Sequence, residues 1–215
     1  MADESQLDRR LQATATIAAF TAAGQLPQLR QALTDGLNAG LTINEITEVL
    51  VQMYAYAGFP RSLNGLGTFM ALLEQRRADG ISDPAGEQPS PRPADTNILQ
   101  VGTENQTKLA GAPVTGALFD FAPAIDQFLK THLFGDIFTR DNLDWQSREI
   151  ATVAALANLD GVESQLQSHV SIALNIGVSE ANLRGLVSVL RDRVGHEQAQ
   201  RAGAIVDKVL ANKPA

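Results

Sequence analysis

The 215-residue sequence contains no cysteine. That absence excludes disulfides, thiol redox chemistry and cysteine metal sites together, and it leaves the compartment open. Aromatic residues are scarce at 5%. The apolar set is dominated by alanine and leucine instead, which suits helices packed closely on small side chains. Positive charge is in deficit, with 17 Lys+Arg against 24 Asp+Glu and a net charge of −7. An acidic chain of this kind argues against nucleic acid or an anionic membrane surface as partner. No apolar run approaches the ~20 residues of a transmembrane helix, so no membrane partner is expected. The opening "MADESQLDRR" is polar and shows no signal peptide. A cytoplasmic location is therefore expected, or a periplasmic one if a leader has been removed. There is also no glycine-rich phosphate loop, no His-x-x-x-His, no carboxylate cluster at metal spacing and no G-x-S-x-G. Neither a metal nor a cofactor is expected.

What remains is ordinary for a soluble globular protein, with 44% hydrophobic and 19% charged residues. Helix punctuation is legible. Leu7–Ala23 has apolar residues at helical spacing and stops at Gly24; Leu26–Ala39 stops at Gly40. "LTINE" is a capping box in which Thr42 accepts from the Glu45 N–H while the Glu45 side chain reaches back. That helix runs to about Ala57 and Gly58, and Pro60 opens another to about Ala78. Residues 79–93 hold four of the nine prolines and read as an extended linker. Residues 94–131 suggest a loop and then a short helix over Pro123–His132. Beyond them, Asp144 caps Trp145–Leu159, Val162–Ile176 ends at Gly177, Ser179 caps Glu180–Val194, and Gly195 precedes a helix to about Leu210.

The two regular blocks superpose in sequence at an offset of 137 residues without gaps. Gly24 falls on Gly161, Gln28 on Gln165, Leu29 on Leu166, Asn38 on Asn175, Gly40 on Gly177 and Gly58 on Gly195. Three of these pairs are glycines that end helices, so one four-helix unit occurs twice. No strand-like alternation competes. The expected fold is all-α, a tandem repeat forming one compact helical unit. Its parts are a first repeat over 1–78, a proline-rich linker and loop over 79–122, and a second repeat over 123–215.

Of three histidines, His196 reads as a surface residue in the first turn of the last helix, and His132 as a helix-end residue without a role. His169 differs, because Leu166, His169 and Ala173 share one apolar stripe. On the preceding helix, Glu149 shares a face with Val153 and Leu156. Measured from the turn at Asp160–Gly161, Glu149 and His169 lie roughly 17 and 12 Å along antiparallel helices at ~1.5 Å per residue. The mismatch is about one turn, within reach of the two side chains. Such a pair either shares a proton near neutrality or is a buried structural ion pair. Arg148 next to it either binds a carboxylate or is a solvated neighbour.

The repeat separates these readings. Glu149 corresponds to Gln12 and His169 to Ala32, so only the second copy holds the pair. Conversely, "YAYAGFPRSLN" in the first copy corresponds to "RDRVGHEQAQR", which keeps only the glycine. One copy carries acid–base residues and the other an aromatic junction, a division of labour between degenerate repeats.

"NAGLTINEITEVLVQMYAYAGFPRSLNGL" and "HLFGDIFTRDNLDWQSREIATVAALANLDGVESQLQSHVSIALNIGVS" resemble the two signature stretches of the carboxymuconolactone decarboxylase family. The first carries its G-L-T…E-V…Y-A-G-F-P…L-N pattern, and the second its F-G-D-I…R-E…G-x-E-x-Q-L-x-x-H…A-L-N-x-G pattern. The resemblance implies an alkylhydroperoxidase-D-like helical fold and a homo-oligomer, with a trimer favoured because each chain holds two repeats. The family's peroxidases need C-x-x-C followed by a histidine. Here those cysteine positions are Val162 and Gln165, while Glu149 and His169 are kept, so thiol peroxidase chemistry is excluded.

The expected activity is that of a cofactor-free lyase on a small carboxylated lactone, as in aromatic catabolism. His169 is the candidate proton donor and Glu149 its orienting partner. Arg148 or Arg61 would hold a substrate carboxylate, and Trp145, Tyr54, Tyr56, Phe59 and Asn64 would form the wall. The alternatives are a non-catalytic helical oligomer or small-ligand scaffold, and a lactone isomerase or hydrolase using the same pair.

Overall fold

The computed structural model describes residues 7–212. These form twelve α-helices and one π-helical segment, with no strand among the described residues. The first repeat comprises α1 (Arg9–Ala23), α2 (Leu26–Asn38), α3 (Ile43–Gln52), α4 (Tyr54–Ala57) and α5 (Phe59–Ala78). Between the repeats lie α6 (Ile98–Ala110) and α7 (Ala117–Phe121). Then come α8 (Pro123–Phe128), the π-helix (Leu129–Ile137), α9 (Trp145–Leu156), α10 (Glu163–Asn175), α11 (Glu180–Arg193) and α12 (His196–Ala211).

The expected caps form. Asp8, Asp144 and Ser179 accept from the backbone of α1, α9 and α11, and the Thr42–Glu45 capping box closes in both directions. The repeat holds in register: α2, α3 and α5 start at 26, 43 and 59, and α10, α11 and α12 start at 163, 180 and 196, each 137 residues later. Gly24 and Gly161 turn the paired hairpins with φ of 68° and 75°, a region costly to any residue with a Cβ. One expectation fails at the third pair. Gly58 has φ 82°, but Gly195 is extended with φ 175° and needs no glycine for its backbone angle.

The two repeats share one core. The alanine-rich α1 packs along α9, with Ala15, Ala18 and Ala19 buried on one side and Ala151, Ala154 and Ala155 on the other. Small side chains let the two axes approach closely, and α1 also touches α11 while α9 touches α3 and α4. Each half therefore completes the other.

The segment between the repeats departs from expectation. Residues 79–122 were expected to be linker and loop, yet α6 is a 13-residue helix capped by Asn97. It seats on the π-helix through two glycines. A Cβ at Gly102 would fall 1.6 Å from the Lys130 carbonyl oxygen, so only bare backbone fits this crossing. The expected helix at Pro123–His132 instead runs to Ile137, with its second part π-helical. The proline-rich stretch is tied down as a strap. The Pro84 and Ala85 carbonyls accept from the N–H groups of Ile43 and Asn44 at 3.0 and 2.9 Å, satisfying two otherwise unpaired donors at the start of α3. An Arg76–Asp83 ion pair at 2.7 Å and Ser90–Asp141 hydrogen bonds hold the rest.

Candidate functional site

Glu149 on α9 and His169 on α10 meet as the hairpin geometry requires, with Nδ1 2.7 Å from Oε2. Glu149 is fully buried, and His169 retains 8% exposure. With Glu149 as a carboxylate, which only accepts, Nδ1 is the donor of this contact and Nε2 stays outside it. The second Glu149 oxygen, Oε1, is buried and unpartnered among the described residues.

Tyr56 comes from the other repeat. Its helix, α4, follows a break at Met53 that was expected to be continuous helix, and the break turns the tyrosine onto His169. The two rings sit edge to face with centroids 5.4 Å apart. The phenol oxygen is buried without a hydrogen-bond partner. Thr152 lies near it; that hydroxyl donates to the Arg148 carbonyl, accepts from Gln52 and keeps one lone pair to which the phenol can turn. Burial, and the Glu149 charge after it, push the Tyr56 phenol far above its ordinary pKa, so it remains a neutral donor. Tyr54 stacks on Phe59 at 4.4 Å between centroids and tilts against His132 at 5.5 Å. Tyr54, Tyr56 and Trp145 flank a second apolar cluster made by Leu109, Leu133, Phe134, Ile137, Phe138 and Ile172. The α6 helix and the π-helix thus roof this end of the pair.

Arg148 requires a correction. It is neither solvated nor open to a substrate carboxylate, being fully buried. Its Nη1 donates to Gln52 at 2.9 Å, and its Nη2 to Glu48 at 2.9 Å and to the Arg140 carbonyl at 2.7 Å. Arg140 adds two bonds to the same Glu48 carboxylate. Burial works to raise the Glu48 carboxyl, but Arg140 and Arg148 outweigh it and hold it below its ordinary value. This network joins α3 of one repeat to α9 of the other, and sequence spacing had no signal for it because its partners lie about a hundred residues apart. Its counterparts in the other half are the apolar or small Leu11, Gly185 and Val189.

The remaining wall residues divide. Trp145 lies near the pair, its indole N–H bonded to the Phe138 carbonyl at 3.0 Å. Phe59 is 61% exposed and reaches the site only through its stack on Tyr54. Arg61 lies over the Gly24 turn, and Asn64 is exposed on α5; neither hydrogen-bonds to the pair. Lys108, hidden in the supposed linker, was missed. Its ammonium sits 5.1 Å from the Trp145 ring centroid, and both line a cavity of about 400 Å³ with Asn175 and Ile176. His132 pairs with Asp136 at 2.8 Å, and His196 is exposed.

The model of the carboxymuconolactone decarboxylase family matches residues 1–69 and 123–208. The chain belongs to that family. The two matched segments are the two repeats, and the unmatched stretch carries the strap, α6 and α7. No curated protein matches the chain. Val162 is the N-cap of α10 and Gln165 stands in its first turn, one turn before His169. The family scaffold is thus present in a chain without thiols. Among the described residues no group of histidines and carboxylates could hold a metal ion, and no helix is long and apolar enough to cross a membrane.

Proposed function

We propose that this family member is a cofactor-free lyase acting on a small carboxylated lactone, with the Glu149–His169 pair transferring the proton. The observation that carries the reading is the 2.7 Å contact made beside two buried polar atoms without partners, Glu149 Oε1 and the Tyr56 hydroxyl. Buried polar groups are nearly always satisfied, so orphans of this kind mark a place for a ligand or water. In such a reaction the C–C bond to the carboxylate breaks, the carboxylate leaves as carbon dioxide, and the electron pair of that bond spreads into a dienolate. A protonated His169, held through Nδ1 by Glu149, then delivers the Nε2 proton to carbon. The neutral Tyr56 phenol donates to the enolate oxygen as charge develops there. The substrate carboxylate falls to Lys108 rather than to Arg148, whose terminal nitrogens are committed. Loss of ultraviolet absorbance across a panel of carboxylated lactones tests this. Turnover is expected, with a drop of about 10²–10⁴-fold in His169→Ala; no turnover of any lactone overturns it.

A second reading has its own support. None of the three described cavities is lined by Glu149 or His169, and the imidazole is almost enclosed. A non-catalytic binder of the same fold fits that enclosure, and it predicts that His169→Ala lowers stability without removing any turnover.

The proposal extends to assembly. Phe59, Leu63 and Met70 are exposed on α5, and Leu118, Phe121, Ile125 and Phe128 on α7 and α8. Two separate apolar stripes on one chain suit a head-to-tail ring such as a trimer. Light scattering on the eluting protein is expected to give a multiple of the 23.0 kDa chain mass. Phe121→Asp is expected to reduce it.

A further inference from the structure

A cavity of about 1050 Å³ lies not at the Glu149–His169 pair but at its counterpart in the first repeat. There Gln12 stands for Glu149, Ala32 for His169 and Arg193 for Tyr56. Two features open this space. Ala32 lacks the imidazole ring, and the roof is absent: Trp145, Ile172 and Ile176, covered by the apolar cluster in one half, correspond to Asp8, Asp35 and Ala39 in the other. The floor is apolar, with Ala13, Phe20 and Ala32 all buried. The rim carries both charges. Arg193 Nη2 donates to Gln12 Oε1 at 2.9 Å, while Nη1 and Nε make no hydrogen bond among the described residues. Asp35 accepts from Gln31 through Oδ1 at 2.9 Å and keeps Oδ2.

We infer that this cavity is a second ligand site that binds a small zwitterion with an apolar side chain, the class of a free apolar amino acid. A cavity with an apolar floor and a few convergent polar groups is the usual form of a small-molecule site. An anion alone meets Asp8 and Asp35 on the rim, and a cation alone meets Arg9 and Arg193. A zwitterion satisfies both signs, placing its carboxylate on Arg193 and its ammonium on Asp35 while its side chain covers Phe20. The substitutions that removed the acid–base pair from this copy left recognition without chemistry. The inference does not depend on the lyase reading.

Isothermal titration of the full chain with L-phenylalanine, L-leucine and L-methionine tests it, beside phenylacetate and phenethylamine, which each lack one charge. Saturable binding of at least one amino acid is expected, with both single-charge analogues at least about tenfold weaker, as loss of a charge-assisted hydrogen bond implies. Arg193→Ala and Asp35→Asn, both exposed positions, are each expected to weaken binding by about tenfold with an unchanged circular dichroism spectrum. Ala32→Leu, which fills the floor, is expected to do the same. Absence of saturable binding by all three amino acids overturns the inference. So does phenylacetate binding as tightly as phenylalanine, or affinity that falls with protein concentration because a second copy covers the cavity.

Discussion

The two halves of this chain use one backbone plan for opposite purposes. Around α9 and α10 the positions hold Glu149, His169 and Tyr56, roofed by α6 and the π-helix. Around α1 and α2 the same positions hold Gln12, Ala32 and Arg193 beneath an open cavity. The difference extends to the helix pair behind the site, where one half is cross-linked by Arg148, Glu48 and Gln52 and the other is apolar. The two units keep the starts of α2, α3 and α5 in α10, α11 and α12, and a hydroxyl cap at Thr42 and Ser179. Such local signals decide where helices begin. Side chains on the inward faces are free to diverge provided the space between the helices stays filled.

The sharpest way to break this comparison is to remove one member of the buried network. Glu48→Ala leaves Arg148 as an uncompensated buried charge, and a loss of about 3–5 kcal/mol in urea unfolding is expected. Glu48→Leu combined with Arg148→Met imitates the apolar half and is expected to recover most of that loss. The sign with pH follows from the depressed Glu48 carboxyl. Its contribution is fully present above the unfolded carboxyl value of about 4.3 and disappears as pH falls through the lower folded value. Stability measured against pH is therefore expected to keep this contribution until below about pH 4 in the wild type. The acid limb should be shallower in Glu48→Gln.

The roof comes next. Gly102→Ala places a methyl group against the Lys130 carbonyl, and an overpacking cost of about 1–3 kcal/mol is expected. The damage should be local, with faster proteolysis in the strap and α6 than in α1–α5. Cleavage at equal rates throughout would show that α6 is no separate cover.

The smallest expected effect separates the paired glycines. Gly58→Ala forces a Cβ onto φ 82°, ψ 159°, at a cost of about 1–3 kcal/mol. Gly195→Ala meets only the end of the flexible Gln198 side chain on an extended backbone. A change within about 0.5 kcal/mol is expected in thermal unfolding. Equal losses at both positions would mean that the third glycine pair is structurally equivalent after all.

The legibility of these features varied with the range of the interaction that makes them. Helix starts at Thr42, Asp144 and Ser179 were readable because a cap is decided within four residues. The Glu149–His169 contact was readable because a hairpin turned by Gly161 converts sequence distance into height along two helices. Helix α6 was hidden by a polar composition and a central glycine, although Asn97, Gly111 and the Ile98–Val101–Leu109 spacing were available signals. Gly102 looked like a helix breaker and proves to be the contact that seats the helix. Arg148 was misassigned because a charged residue next to an acid–base pair reads as a substrate anchor until its partners on α3 are known.

By itself, then, the sequence determined the all-α class, the repeat and its register, the absence of cysteine and the approach of Glu149 to His169. Each depends on composition or on contacts within a single turn or hairpin. Only the tertiary structure decided that Arg148 is sealed, that Tyr56 crosses from the first repeat onto His169, that Lys108 stands over Trp145 and that the open cavity lies in the other half. Those outcomes depend on which helices share a face, and such pairings join residues a hundred or more positions apart.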